Sequence, residues 1–415
     1  MVEIWAYKDV NTKKLHTMNN TPQSLRTNIG FFGRCNAGKS SLINLLSGQS
    51  LSIVSEVAGT TTDSVIKSME ISGIGPVVLI DTAGYDDVST LGEARKEQTT
   101  RAAQRCDVAV LVCGASDDYS AEAEWLALFK RQGVPTVVVL NKVDVLISPK
   151  STAEVIEQKL GVRPIEISAT SGVGRKEVLD ALRGAVGRIK DAAVTITGSL
   201  VGAGDTVVLV MPQDSQAPAG RLIMPQVQTL RELLDKRAVA VCCVPEDLEH
   251  TLAGLKSAPR LIITDSQVFG YVAERVPEGT MLTSFSVLMA GFKGDIGAFV
   301  EGAKAIDTLT EKSRVLIAEA CTHAPATEDI GRVKLPAMLR RKVGQGLSVD
   351  VVGGADFPTD LSGYDLVIHC GACMFNRRHV LSRLGVAAEQ GVAMTNYGIA
   401  IAHLQGILPK VVWPE

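Results

Sequence analysis

Three successive α/β units, each a largely parallel sheet wrapped by helices, are what the patterning of this 415-residue chain predicts. First, short Val/Ile/Leu runs alternate with amphipathic stretches from residue 27 to 190, and parallel strands need such helical crossovers. Second, the same alternation resumes beyond DAAVTITGSLVGAGDTV, a stretch of small residues and glycines that reads as a linker. Third, 46% hydrophobic and 21% charged residues describe an ordinary globular protein, too long for a single core.

The elements follow in order. NIGFF is a strand, KSSLINLLS a helix, PVVLID, DVAVLVC and PTVVVLN are strands, and EVLDALRGAV is a helix, which makes residues 27–190 a doubly wound unit after a tail at 1–26. In the second unit, expected over 195–272, TVVLVMP, AVAVCCV and RLIIT are strands separated by the helices VQTLRELLDKR and EDLEHTLAGLKS. The third, expected over 279–415, has RVLIAEAC, LSVDVVG, YDLVIHC and VAMTNYG as strands, with NRRHVLSRLGVAAEQG as a helix. There is no short-period repeat or low-complexity tract.

Composition excludes several classes of partner. The net charge is -3 with pI near 6.1, the longest basic run is Arg340-Arg341-Lys342, and aromatics are 4% of residues. Nucleic acid is not expected, since it would call for a basic surface and stacking platforms. No apolar run approaches the roughly 18 residues of a membrane span and no secretory pattern opens the chain, so a cytoplasmic location without membrane contact is expected. There the eight cysteines stay reduced. Cys35, Cys106, Cys113, Cys242 and Cys243 lack ligand-type companions and are expected to be buried small hydrophobes.

Gly33-Arg34-Cys35-Asn36-Ala37-Gly38-Lys39-Ser40 fits G-x-x-x-x-G-K-[ST] between a strand and a helix, a P-loop in its proper setting. Gly33, Asn36, Ala37, Gly38, Lys39, Ser40 and Ser41 are thereby candidate phosphate contacts, with Lys39 on the β and γ groups and the Ser40 hydroxyl on magnesium. Asp81-Thr82-Ala83-Gly84 puts Asp81 on the magnesium side and the Gly84 amide at a γ-phosphate oxygen. Asn141-Lys142-Val143-Asp144 follows another strand. Its Asp144 can accept from the two donors of guanine that adenine lacks, and Ser168-Ala169-Thr170 completes the base pocket. Four motifs in this order resemble the GTPase signature, which makes GTP with Mg2+ the expected nucleotide. Gly59-Thr60-Thr61-Thr62-Asp63 looks like the first switch, with Thr61 the expected magnesium ligand. Lys39, Thr61 and Gly84 are the residues expected to carry hydrolysis. Tyr85 stands where many GTPases have a water-orienting glutamine, so unaided turnover should be slow. Together with Asn36 this resembles the tRNA-modification and ribosome-assembly GTPases, where that asparagine helps to bind K+ near the transferring phosphoryl group.

Near the other end, Cys321-Thr322-His323 and His369-Cys370-Gly371-Ala372-Cys373 each follow a strand, where open α/β sheets place their ligands. The x-x spacing lets Cys370 and Cys373 reach one centre. By spacing alone the set suits tetrahedral zinc, the commoner case, or a 4Fe-4S cluster with one variable ligand. Zinc would make the chain a tRNA-modification or ribosome-assembly GTPase, against which the acidic pI weighs.

A potassium-type GTPase unit, a middle α/β unit and a Cys-x-His with a distant His-Cys-x-x-Cys together resemble the HydF family of FeFe-hydrogenase maturation GTPases over nearly the whole chain. The resemblance implies a 4Fe-4S cluster on Cys321, Cys370 and Cys373, with His323 or His369 as the fourth ligand and Glu319, Glu328 and Asp329 as rivals. It implies a scaffold that carries the di-iron subcluster precursor to apo-FeFe hydrogenase, with the radical SAM maturases HydE and HydG as further partners. It also implies that the middle unit is a dimerisation domain, suiting the apolar AVAVCCV segment, that the third is the iron-sulfur domain, and that the chain is a homodimer or larger.

Overall fold

A computed structural model describes residues 25–48, 65–85, 92–116, 118–191, 194–213, 222–320, 329–354, 357–373 and 375–414. The first switch with Thr61, the tail before residue 25, and Cys321, His323 and Glu328 lie outside the described residues.

The first unit runs β1 (Thr27–Gly33), α1 (Lys39–Ser47), β2 (Val65–Ile71), β3 (Gly75–Asp81), α2 (Gly92–Ala103), β4 (Val108–Cys113), α3 (Ser120–Arg131), β5 (Thr136–Leu140), α4 (Pro149–Leu160), β6 (Ile165–Glu166) and α5 (Arg175–Asp191). Its six strands lie in the order β2-β3-β1-β4-β5-β6, parallel except for the β2–β3 hairpin. The central strands read as unbroken apolar runs because helices cover both faces, and every residue of β4 is buried. In β2, VIKSMEI, exposed Ile66 and half-buried Lys67 blur the alternation that would reveal it, and the strand sits at the sheet edge.

The middle unit has β7 (Thr206–Val210), α6 (Met224–Asp235), β8 (Val239–Cys243), α7 (Leu248–Ala253), β9 (Leu261–Thr264), α8 (Phe269–Ala273), β10 (Met281–Ser284) and α9 (Phe285–Lys293). Its parallel sheet is ordered β10-β9-β7-β8. The boundary expected at 272–279 therefore falls inside this sheet, because Met281–Ser284 pairs with Leu261–Thr264. The stretch expected to be a linker is partly core: Ile196 and Val201 are buried, and the Glu232 carboxylate accepts from the Ile196 and Thr197 amides. Three cysteines also depart from expectation, Cys243 being only half-buried. Cys35 is exposed in the P-loop turn, and Cys242 is exposed because β8 is an edge strand, whereas Cys106 and Cys113 are buried.

The last unit has α10 (Ile296–Ala303), β11 (Arg314–Ala318), α11 (Leu335–Val343), β12 (Ser348–Val352), β13 (Leu366–His369), α12 (Arg377–Glu389), β14 (Ala393–Asn396) and α13 (Tyr397–Leu404). Its strands are parallel in the order β12-β11-β13-β14. The second and third units are not separate bodies. One apolar cluster runs from Val208 and Ile262 through Val287 and Phe299 to Leu316 and Val367. The end of the chain also returns to the middle sheet, where the Val412 amide donates to the Leu282 carbonyl. No helix among the described residues is long and apolar enough to cross a membrane.

Candidate functional site

The P-loop turns tightly because its glycines sit where side chains cannot. A Cβ on Gly33 would lie 2.4 Å from the Val112 carbonyl oxygen, and one on Gly38, at φ 91°, would lie 2.3 Å from Asn141 Nδ2. Asn36 takes φ 60° and is exposed, Ala37 is buried, and Ser41 is exposed on the first turn of α1. Lys39 Nζ donates to the carbonyls of Gly33 and Arg34, both at 2.9 Å, which holds the ammonium inside the loop that would receive the phosphates. Ser40 Oγ donates to Asp81 Oδ2 at 2.5 Å. Asp81 Oδ1 is buried with no hydrogen-bond partner, and burial pushes its carboxyl above the ordinary range despite Ser40 and Lys39. An orphaned carboxylate oxygen beside a serine hydroxyl is a donor set that fits Mg2+. Gly84 lies so close to the P-loop that a Cβ there would meet Cys35 Sγ at 2.4 Å.

Tyr85 packs on residues of α3. It is buried, stacks on Trp125 at 5.9 Å, and has Glu122 beside its hydroxyl, with burial raising its pKa far above the ordinary value. Arg34, though inside the P-loop, turns outward to grip Glu122 at 2.9 and 3.2 Å.

Asn141 ties the two halves of the nucleotide site together. Its Nδ2 donates to the Ala37 carbonyl at 2.9 Å, and its Oδ1 accepts from the Ala169 amide at 3.1 Å. Ser168 is buried and its Oγ accepts from the Ser171 amide. Lys142, at φ 66°, and Asp144 are exposed, leaving the Asp144 carboxylate open to a base.

The cysteine loop begins where β13 ends. The Cys370 amide donates to the Ala318 carbonyl, and Cys370 Sγ accepts from the amides of Ala320 at 3.0 Å and Ala372 at 3.4 Å. Backbone donors aimed at a sulfur stabilise a thiolate, as a metal ligand requires. Ala372 takes φ 47°, a turn of the chain directly before half-buried Cys373. Cys321 directly follows Ala320, whose amide meets the Cys370 sulfur, so the third thiol is adjacent in sequence to this donor. The donor chemistry fits a thiolate-held cluster. Among the described residues no group of three or more His, Cys, Asp or Glu side chains is gathered as a metal site.

His369, a candidate ligand from its sequence position, is packed away. It is fully buried, its Nδ1 lies 2.6 Å from the Cys370 carbonyl, and its Nε2 lies 3.0 Å from Arg383 Nη1. A guanidinium only donates, so Nε2 accepts and its lone pair is committed. Burial, with Arg383 adding to it, lowers its pKa to about 3. Two carboxylate rivals are engaged as well: buried Glu319 accepts from Arg332 at 3.0 Å, and Asp329 accepts from the Arg332 amide at 2.8 Å.

Sequence reading missed the residues that surround this loop. Lys293 ends α9, is 3% exposed, and donates to the Phe375 carbonyl at 2.8 Å; burial lowers its pKa to about 8. Asn376 caps α12, and its Nδ2 also donates to the Arg105 carbonyl at 2.7 Å and to Asp107 Oδ1 at 3.0 Å, both in the first unit. Arg378 donates to the Gln132 and Gly133 carbonyls, and the Arg105 guanidinium lies 5.6 Å from the centre of the Phe375 ring. Asn376, an N-cap type directly before a helical run, was the one signal the sequence offered.

Three family models match the chain. Residues 28–142 match a 50S ribosome-binding GTPase domain, residues 196–294 the hydrogen maturase F dimerization domain, and residues 297–414 the hydrogen maturase F tetramerization domain. The tRNA modification GTPase MnmE of Burkholderia thailandensis is 38% identical over 163 residues, which are 38% of this chain and 33% of that protein. MnmE of Heliobacterium modesticaldum is 35% identical over 153 residues, 36% of this chain and 32% of that protein. The chain thus spans about a third of the length of the curated relatives it matches. Among solved structures, Era in complex with MgGDPNP and a segment of 16S ribosomal RNA is 26% identical, covering 38% of this chain and 56% of that one with a TM-score of 0.33. The S. thermophilus NFeoB bound to GDP.AlF4- and K+ is 24% identical, covering 38% and 60% with a TM-score of 0.29. The first unit is a P-loop GTPase domain, the two hydrogen maturase F domains behind it together span more than half of the sequence, and the chain belongs to the hydrogen maturase F (HydF) family.

Proposed function

We propose that this chain binds and hydrolyses GTP and serves as scaffold and carrier in FeFe-hydrogenase maturation. It would hold a 4Fe-4S cluster on Cys321, Cys370 and Cys373 and pass the di-iron subcluster precursor to the apo-hydrogenase. The observation that carries this reading is the Cys370–Cys373 turn, with amide donors on its first sulfur, inside a chain of hydrogen maturase F domains. When bound, the cluster supplies an iron whose fourth ligand can be exchanged, the property a carrier needs.

This chain's own residues do the rest. Asp144 reads guanine, Lys39 neutralises the β and γ phosphates, and Ser40 and Asp81 hold Mg2+. Gly84 offers its amide to the γ-phosphate, Thr61 closes the first switch, and Asn36 supports K+ where Tyr85 gives no help to the attacking water. Hydrolysis transfers the γ-phosphoryl group to water, giving GDP and phosphate. Homodimerisation through β8 fits an edge strand whose Val239 is 53% exposed. HydE and HydG are the partners that would load the scaffold in the cytoplasm.

Anaerobic purification tests the reading. A brown protein with iron and sulfide is expected, with Cys370→Ser and Cys373→Ser losing both the cluster and hydrogenase activation, while His323→Ala keeps the cluster and changes its paramagnetic resonance signal. A colourless protein with stoichiometric zinc would overturn it in favour of a zinc-containing GTPase.

A further inference from the structure

Two buried cations are bonded to residues that flank the cysteine pair: Lys293 to the Phe375 carbonyl and Arg383 to His369 Nε2. Lys293 reaches it from the C-terminal end of α9, and its charge is felt by Cys373 and by Asp107. Arg383 reaches it from the second turn of α12, 5% exposed, and its charge is felt by Cys370. Arg383 is locked by His369 Nε2 at 3.0 Å, by the Gly354 carbonyl at 2.5 Å and by the Phe357 ring at 4.8 Å, and among the described residues it forms no ion pair with a carboxylate. Burying a cation costs several kcal/mol unless an anion offsets it. A thiolate-held centre on this loop is such an anion, and each electron it gains adds a negative charge near these two side chains.

We propose that Lys293 and Arg383 are the counter-cations of the cluster, positioning residues that set its charge balance and reduction potential. The proposal rests on the cluster reading above and deepens it. Lys293 approaches through its bond to the Phe375 carbonyl, two residues beyond Cys373, so the position of its charge is fixed by the same loop that carries the sulfur. Removing that charge disfavours the reduced cluster, because the extra electron then sits in a low-dielectric site with one fewer positive neighbour.

The test compares the full chain, reconstituted anaerobically with iron and sulfide, with its Lys293→Gln and Lys293→Arg variants. Glutamine can still donate to the Phe375 carbonyl but carries no charge. Iron and sulfide content is measured first, then the reduced fraction is followed by paramagnetic resonance during a redox titration. Lys293→Gln should keep its iron, and its ratio of reduced to oxidised cluster at the parent's midpoint should fall about tenfold, 59 mV for a one-electron couple. Lys293→Arg should return to within about threefold of the parent. A full complement of iron with an unchanged midpoint in Lys293→Gln would overturn the proposal, as would an equal shift in Lys293→Arg. If Lys293→Gln fails to hold iron, Lys293→Met decides by the midpoint of whatever cluster it retains, and an unmoved midpoint there also overturns it. A parent protein without iron or sulfide would refute the cluster reading instead.

Discussion

Asn141→Ala is the sharpest test of how the nucleotide site is held. The side chain is 1% exposed and makes two bonds, to the Ala37 carbonyl at 2.9 Å and from the Ala169 amide at 3.1 Å. Truncation leaves both backbone groups without their partner and opens a small void. Each orphaned group costs about 1–3 kcal/mol, so the GTPase domain should lose roughly 2–6 kcal/mol. With a urea slope of about 2 kcal/mol/M, the midpoint followed by circular dichroism should drop by about 1–3 M. GTP affinity should fall at least about tenfold as well, because the P-loop and the Ser168–Ala169 loop are no longer tied to one another. Asp144→Asn is the control: its exposed carboxylate supports no packing, so the midpoint should stay put while base recognition changes. An Asn141→Ala protein with the parent's midpoint and GTP affinity would refute the bridging role.

In Asp144→Asn itself, competition binding should show GTP losing ground to xanthosine triphosphate; retained preference for GTP would remove Asp144 from the base pocket. Exchanging sodium for potassium at fixed ionic strength should raise phosphate release severalfold through Asn36, and equal rates would dismiss the cation. Stability should fall on acidification. His369 and His379 have folded values of about 3 and about 2 against 6.5 unfolded, both lowered first by burial, so the unfolded chain takes up the protons. Their contribution is complete above about pH 6.5 and is lost as pH drops toward 3, by about 1.4 kcal/mol per pH unit for each histidine. In cluster-free protein, His379→Phe, which keeps the stack on Phe375, should flatten the urea-midpoint slope over that range by one proton's worth; an unchanged slope would place the titration elsewhere.

The nucleotide motifs were legible because phosphate and guanine recognition is built from short segments at strand ends, where spacing alone fixes the geometry. The Cys370–Cys373 turn was located by the same kind of signal, since it directly follows β13. What the sequence hid depends on distant chain. Met281–Ser284 is a four-residue run that reads alike in either of two neighbouring sheets, and only its pairing with β9 assigns it. Ile196 and Thr197 look like linker until Glu232, on α6, is seen holding their amides. His369 resembled a ligand because it adjoins Cys370, but Arg383, fourteen residues on, takes its lone pair. Lys293 carries no local mark at all and gains its place only when α9 meets the loop after Cys373.

The seam between Asn376 and the GTPase domain changes how a nucleotide signal would travel. Helix α2 starts beyond the Asp81–Gly84 motif and ends two residues before Arg105, whose carbonyl binds Asn376 and whose guanidinium lies over Phe375. A twelve-residue helix is about 18 Å of rigid rod. Within it Thr99 donates to the Ala83 carbonyl at 3.4 Å, and just past its far end Arg105 meets Asn376 and Phe375, so the Asp81–Gly84 motif and the loop after Cys373 touch the same helix and its exit.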